Sequence, residues 1–343
     1  MNDPLLQPAA RVAVAAYYFR AQMYTCVPRQ VRADLAWMAA HGTDYVCVSV
    51  LEQDLFAARE NLDLITTEAE RAGMRVLAVP SRWAGVVAGA PKVPSLFSIQ
   101  HPETWLRDEH GRTAVAPGVS GALSSIHHPA TYEFFTSKLA EMFEQHPSWA
   151  GFILDEPKCF RVDTSAAAVE ALGGSAPLAA HWRAASAFLG RVAGFAKGRW
   201  PDKLTLMFQE ARISAEERAA GAATSHLDFY GLDGRPWGRN ADSRLTSADE
   251  SQESGKDKIL LDGRAEEFIR AARAQPGRRA MVLIENHNLE AEMTEPLRRE
   301  LPRVLALPAD LFCYYYYPRN VAEPDRVMRI IGRGLRRLRA ERA

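Results

Sequence analysis

The segment Trp149-Ala-Gly-Phe-Ile-Leu-Asp-Glu-Pro157 is a short apolar run that ends in two acids and a proline. Aromatic and branched side chains fit the pleated surface of a sheet, so the run favours a buried strand. Proline has no amide hydrogen to donate to a strand ladder, and the strand therefore has to end at Pro157. The segment predicts a strand with Asp155 and Glu156 at its carboxyl end.

Seven similar runs occur along the chain, and most are followed by an amphipathic stretch. The predicted strands are 11–19, 44–50, 75–80, 151–155, 204–208, 227–231, 281–285 and 311–317. The predicted helices include 31–40, 55–72, 130–145, 178–197, 265–274 and 325–339. Alternating strands and helices predict a parallel sheet covered by helices, and eight strands indicate a closed (β/α)8 TIM barrel. The strand-like residues 258–261 would then lie in the loop after the sixth strand.

The composition restricts the class of protein. A chain of 343 residues fits one (β/α)8 barrel, so we expect residues 1–343 to form a single catalytic domain. The 42 basic residues balance 42 acidic ones, so no net field favours nucleic acid or an anionic membrane. The first ten residues lack a basic region followed by an apolar core, and four cysteines are too few for a disulfide scaffold. We therefore expect a soluble, cytoplasmic protein; its oligomeric state is not indicated.

A second apolar run, Met281-Val-Leu-Ile-Glu-Asn-His-Asn288, also ends in an acid. Glu285 would lie at the carboxyl end of the seventh strand, across one barrel mouth from Glu156. Two carboxyl groups in that arrangement can flank a glycosidic bond, one protonating the leaving oxygen and the other attacking the anomeric carbon. A separation of about 5 Å indicates retention of configuration, and a wider gap indicates inversion.

These residues resemble a known group of enzymes, the clan of (β/α)8-barrel glycoside hydrolases that includes β-galactosidase-type enzymes. The similarity extends to motifs before the fourth strand, namely His101-Pro102-Glu103, Asp108-Glu-His-Gly111, residues 124–132 and His146-Pro147-Ser-Trp149. The resemblance implies that Glu156 is the acid/base and Glu285 the nucleophile of a retaining glycoside hydrolase. The clan usually has asparagine where this chain has Asp155, which can accept a hydrogen bond from a sugar hydroxyl but cannot donate one when ionised.

Further substrate-binding residues are expected at strand ends and in two long loops, 81–128 and 232–257, because the loops after strands build the active site of such barrels. They are Asp155, Tyr230, Arg82, Trp83, Asp233, Trp237, His287, Tyr317 and Arg319. Tyr230 is placed to hydrogen-bond the nucleophile, and the tryptophans to stack on a sugar ring. Side chains alternate along a strand, so at most half of the tyrosines 314–317 can face the pocket. We expect Tyr317 to be one of them. The long third loop predicts a closed pocket for small or chain-terminal glycosides.

Two other functions fit the same pattern. A divalent-metal-dependent sugar isomerase or epimerase would use acids and a histidine near strand ends, namely Glu156, Glu210, Asp228, Glu285 and His287. A non-catalytic carbohydrate-binding barrel is the other alternative, because a fold does not determine a function. The sequence contains no compact metal motif, phosphate-binding loop or nucleophile elbow. It therefore favours glycoside hydrolysis, with a carbohydrate substrate and no cofactor or metal.

Overall fold

In the computed structural model, eight parallel strands close into a barrel in chain order. The structure describes residues 3–7, 11–23, 26–89, 93–115, 121–236 and 259–342. The strands are β1 Ala13–Tyr17, β2 Tyr45–Val50, β3 Arg75–Pro80, β4 Gly151–Asp155, β5 Leu204–Glu210, β6 Phe229–Gly234, β7 Arg279–Ile284 and β8 Leu311–Tyr315. The (β/α)8 barrel predicted from the sequence is confirmed, and each predicted strand overlaps an observed one.

Helices lie between the strands on the outside of the barrel. They are α1 Pro28–Ala40, α2 Asp54–Ala57, α3 Arg59–Arg71, α4 Leu96–Gln100, α5 Pro129–Gln145, α6 Ala166–Leu172, α7 Leu178–Arg199, α8 Ala215–Ala222, α9 Arg264–Arg273, α10 Thr294–Leu305 and α11 Pro324–Glu341. The helix predicted over 55–72 is broken, because Ala58 leaves the helical region at φ −129° and ψ 24°. Among the described residues, no helix combines the length and apolarity needed to cross a bilayer.

Side chains alternate between the barrel interior and the helix layer. Tyr17, Ile153 and Leu283 belong to the cluster that fills the interior, whereas residues of the other parity pack under the helices. Alternate residues of a strand share a face. Asp155 and Glu285 follow Ile153 and Leu283 by two residues and so turn towards the interior, at the end of the barrel where the strands finish. We call this end the mouth.

At the opposite end of the barrel, an aspartate directly precedes each of β2, β6 and β8, namely Asp44, Asp228 and Asp310. Each carboxylate accepts a hydrogen bond of 2.7 to 2.8 Å from a backbone amide of the preceding strand. For Asp228 the donor is Thr205, and the Lys197 ammonium lies 2.7 Å from the same oxygen. Asp228 therefore has a structural role far from the mouth, and the metal-dependent alternative loses one of its predicted ligands.

The long loop after β3 is fastened to the barrel by Glu52, which follows β2. Its carboxylate accepts hydrogen bonds from the amides of Ala84 and Phe97 at 3.2 and 2.7 Å, and from Ser95 Oγ at 2.5 Å. Glu52 is only 5% exposed, and burial raises its pKa although these hydrogen bonds oppose the shift. Ala84, Ser95 and Phe97 of this loop are thus held beside the end of β2.

Candidate active site

The carboxyl ends of β4, β6 and β7 bring three acids together at the mouth. Oxygen atoms of Glu156, Asp233 and Glu285 all lie within 4.8 Å of one another. Asp233 and Glu285 are buried, at 2% and 5% exposure, and Glu156 is half-buried. Asp155 is also buried, directly before Glu156. The structure therefore brings together the two acids that the sequence analysis paired, and adds Asp233 to them.

Glu156 reaches this cluster through an unusual turn of the backbone. Strict alternation would send its side chain away from the face that Asp155 occupies. Its φ of 36° instead lies in the left-handed region, which a non-glycine residue rarely adopts. The amide of Glu156 still extends the sheet by donating to Phe208 O at 3.1 Å. This local strain places the carboxylate over the mouth, as backbone strain often does at functional sites.

Two cations stand beside the clustered acids. Lys158 Nζ lies 2.9 Å from Glu156 Oε2 and 3.2 Å from Glu210 Oε1, so it bridges the ends of β4 and β5. Arg235 Nε lies 3.5 Å from Glu285 Oε2, and this arginine is 6% exposed. Neither cation was predicted, although both follow a strand end by one to three residues. That position is the signal that could have found them.

The other side of the mouth is aromatic. The Tyr315 ring lies 5.2 Å from the ring of Tyr17, 5.8 Å from that of Phe19 and 5.0 Å from that of His287. Burial raises the pKa of Tyr315 well above its usual value, and neighbouring carboxylates including Asp155 raise it further. The hydroxyl therefore stays protonated at neutral pH and can donate hydrogen bonds to acceptors at the mouth.

The expectation that Tyr317 faces the pocket is wrong. Tyr317 is 42% exposed, and its hydroxyl donates to Asp325 Oδ1 at 2.6 Å at the start of α11. Its φ of 44° shows that the strand has already ended, so alternation no longer applies to it. Tyr315, the last residue of β8, has the inward parity. Arg319 lies in the same loop, where its carbonyl oxygen accepts from the amide of Asn288 at 3.3 Å.

Tyr230 does not support Glu285, contrary to the sequence-based expectation. It has the opposite parity to Asp233 on β6 and is fully buried under the helix layer. Its hydroxyl donates to Gln209 Oε1 at 2.7 Å, and its ring stacks on Phe268 of α9 at 5.7 Å. Tyr230 therefore joins the sheet to its covering helices.

Trp83 is also an internal anchor and not a sugar-stacking surface. The side chain is fully buried, and its indole Nε1 donates to Val50 O at 2.9 Å. Its ring packs against Phe135 of α5 at 6.0 Å. Arg82, the preceding residue, is 8% exposed and has a left-handed φ of 62° two residues beyond the end of β3. Trp237 lies outside the described residues.

Glu217, on α8 next to the mouth, is a titratable group that the sequence analysis missed. Burial and then the charge of Glu210 raise its pKa to about 7, although Arg161, Lys158 and Arg212 lower it. The sequence places Glu217 in the first turn of a helix through the capping pattern that begins at Ser214. In the structure Ser214 Oγ accepts a hydrogen bond from the Glu217 amide at 3.1 Å.

This pKa predicts a pH-dependent stability. An acid with a raised pKa in the folded state holds its proton longer there, so stability falls as pH rises from about 4.5 to 7. Glu217→Gln cannot ionise, and we expect it to match the wild type at pH 4 but to exceed it by about 1 to 2 kcal/mol at pH 8, allowing for partial exposure. Urea unfolding at both pH values measures the difference. An equal difference at pH 4 and pH 8 would refute the assignment.

Comparison with known proteins supports the fold. No protein-family model and no curated protein matches the sequence. A β-galactosidase from Rahnella sp. R3 matches with a TM-score of 0.61 at 14% identity, over 98% of this chain and 57% of the other. The GH5_18 structure from Streptomyces cattleya with GlcNAc matches with a TM-score of 0.58 at 15% identity, over 97% of this chain and 82% of the other. The catalytic domain of a β-amylase from Paenibacillus polymyxa matches with a TM-score of 0.56 at 10% identity, over 90% of this chain and 93% of the other. The chain thus shares its eight-stranded (β/α)8 fold with glycoside hydrolases, as its sequence motifs predicted.

Proposed function

We propose that this protein is a retaining glycoside hydrolase that acts on small or chain-terminal glycosides. The observation that carries the proposal is the approach of Glu156 and Glu285 oxygens to within 4.8 Å across the mouth. Retaining enzymes hold their two carboxyl groups about 5 to 5.5 Å apart, whereas inverting enzymes need about 6.5 to 9.5 Å to admit a water molecule. Oxygens of Glu156 and Glu285 that approach within 4.8 Å leave little room for a water molecule between the two carboxylates, which supports retention.

In this mechanism Glu285 attacks the anomeric carbon while Glu156 gives its proton to the leaving oxygen. The glycosidic bond breaks, the alcohol leaves, and an ester joins the sugar to Glu285. Glu156, now ionised, takes a proton from water, and the resulting hydroxide equivalent attacks the same carbon. The ester breaks, Glu285 leaves as a carboxylate, and Glu156 is protonated again for the next cycle.

The two cations fit these different roles. The guanidinium of Arg235 beside Glu285 favours the ionised form that a nucleophile needs. Lys158 lies between Glu156 and Glu210, so it can pair with Glu210 when Glu156 is protonated. Substrate binding that shifts this ammonium towards Glu210 would leave Glu156 with the proton that it has to donate.

The two sides of the mouth suit a sugar ring. Phe19 and Tyr315 offer an aromatic side for the apolar face of the ring. Asp155 and Asp233 lie on the acidic side, where carboxylates accept hydrogen bonds from sugar hydroxyls. The loop that Glu52 holds beside the end of β2 favours a closed pocket. Efficient cleavage of internal bonds in a long polysaccharide would contradict this substrate class.

A metal-dependent sugar isomerase is the second candidate, because three carboxylate oxygens within 4.8 Å can bind a divalent ion. The surroundings of the cluster fit such an ion poorly. Lys158 Nζ is 2.9 Å from Glu156, and Arg235 lies beside Glu285, so both cations would repel a metal at this position. The same charges stabilise the acids without a metal, which favours hydrolysis.

The test is hydrolysis of a panel of aryl glycosides, with and without a chelator, followed by proton NMR of the first sugar released. Cleavage that is unaffected by the chelator and releases the same anomer as the substrate supports the proposal. Release of the opposite anomer would show inversion. Conversion of free sugars that requires added metal would establish the isomerase, and sugar binding without turnover would indicate a carbohydrate-binding barrel.

A further inference from the structure

The side chain of Asn286 continues the sheet beyond the point where β7 and β8 separate. Regular pairing between these strands ends at Ile284 and Tyr314. One step further, Asn286 Nδ2 donates to Tyr315 O at 2.9 Å, and the amide of Tyr315 donates to Asn286 Oδ1 at 2.8 Å. A side-chain amide thus makes the two hydrogen bonds that a further strand residue would make. It is fully buried, so water does not compete for them.

The backbone turns at this point, which is why a side chain is needed. The amide of Asn286 donates to Ile284 O at 3.0 Å, which closes a tight three-residue turn with Glu285 at its centre. On the other side Glu285 is still part of the sheet, because its amide donates to Gly234 O at 2.8 Å. Glu285 is therefore held by β6 through its own backbone and by β8 through the side chain of its neighbour.

We propose that Asn286 is a positioning residue that fixes the Glu285 carboxylate relative to Tyr315 and the acids of the mouth. The inference rests on the proposed function, in which Glu285 is the nucleophile. The Nδ2 and the Oδ1 of Asn286 are both hydrogen-bonded to the Tyr315 backbone. Asn286 therefore acts through Glu285 and Tyr315 and not on the substrate. Displacing reacting groups by about 1 Å can cost about a hundredfold in rate, which is the size of effect such a residue can control.

Two substitutions separate the parts of this interaction. Asn286→Ala removes both hydrogen bonds. Asn286→Asp keeps the acceptor for the Tyr315 amide but turns a second carboxylate oxygen towards the Tyr315 carbonyl, where the asparagine donates. For both variants we expect kcat per active site to fall by about 30- to 100-fold while KM changes by less than about threefold, because the nucleophile is misplaced and the sugar-binding groups remain.

Asn320→Asp is the matched control. Asn320 Nδ2 donates to Asn288 Oδ1 at 2.9 Å and joins the same two loops farther from Glu285. Aspartate tolerates the left-handed φ of 53° at this position. The substitution removes one part-buried amide contact between the loops, and we expect kcat per active site to stay within about threefold of the wild type.

The active sites are counted by trapping the ester with a 2-deoxy-2-fluoro glycoside of the preferred sugar, so that loss of folded protein is not mistaken for loss of rate. A wild-type kcat per trapped site in Asn286→Asp or Asn286→Ala overturns the proposal, even if the melting temperature falls. An equal loss of rate in Asn320→Asp also overturns it, since any loop contact would then have the same effect. A wild type that hydrolyses no glycoside rejects the proposed function itself, and the positioning role with it.

Discussion

Glu285→Ala is expected to lower kcat on an aryl glycoside by about 10⁴-fold or more, because it removes the group that forms the covalent intermediate. Azide is expected to restore part of this activity. The small anion can enter the space that the carboxylate leaves at the mouth and attack the anomeric carbon from the same side. The product would then be a glycosyl azide whose anomeric configuration is opposite to that of the substrate, which NMR identifies directly.

Asp228→Asn is the control for this experiment. Asp228 is also an acid next to a strand, but it lies at the opposite end of the barrel and holds the Thr205 amide and Lys197. We expect its substitution to reduce stability by about 1 kcal/mol and to leave kcat/KM within about twofold of the wild type. Normal turnover by Glu285→Ala would show that Glu285 is not the nucleophile. Loss of turnover without any glycosyl azide would count against attack from this position.

The barrel was predictable because each strand is specified by residues next to one another in the sequence. An apolar run of β-branched and aromatic residues, such as 151–155 or 281–285, identifies a strand without information from elsewhere in the chain. The end of such a run also identifies residues at the mouth. Glu156 and Glu285 were found in this way, since parallel strands finish at the same end of a barrel.

The wrong predictions concern Tyr230 and Tyr317, which are near a strand end but do not face the mouth. Tyr230 is three residues before Asp233 on β6, so the two side chains face opposite sides of the sheet. Tyr317 is two residues beyond the end of β8, where the backbone has turned. Because alternate residues share a face, counting back from Asp233 along β6 would have excluded Tyr230 from the mouth. It would also have favoured Tyr315, whose parity matches that of buried Cys313 inside the barrel.

Other features depend on contacts that no local pattern records. The left-handed φ of 36° at Glu156 is one of them, because alternation alone would have directed this side chain elsewhere. Lys158 is close to Glu156 in sequence, but its contact with Glu210 spans 52 residues. The two hydrogen bonds between Asn286 and Tyr315 span 29 residues. Contacts between residues so far apart in the sequence form because the closed barrel brings neighbouring strands together. They can be identified only when the register of those strands is known.

Glu156→Ala is expected to slow hydrolysis by an amount that depends on the leaving group. An alkyl or unsubstituted phenyl glycoside needs a proton on its leaving oxygen, so its cleavage should fall by about 10²- to 10⁴-fold, the contribution of a general acid. A dinitrophenolate leaves without protonation, and formation of the ester from that glycoside should slow by less than about tenfold. The comparison uses single-turnover kinetics of the two substrates, because the later hydrolysis of the ester also needs Glu156 as a base.

Azide distinguishes the two glutamates from each other. In Glu156→Ala the nucleophile is intact, so the ester with Glu285 still forms, and azide attacks it without needing a base to remove a proton. Two successive inversions give a glycosyl azide of the same configuration as the substrate, opposite to the product expected from Glu285→Ala. If both variants gave the same anomer, Glu156 and Glu285 would not have the distinct roles proposed here. If Glu156→Ala slowed both leaving groups equally, Glu156 would not be the acid, and Asp233, which lies within 4.8 Å of it, would be the next residue to replace.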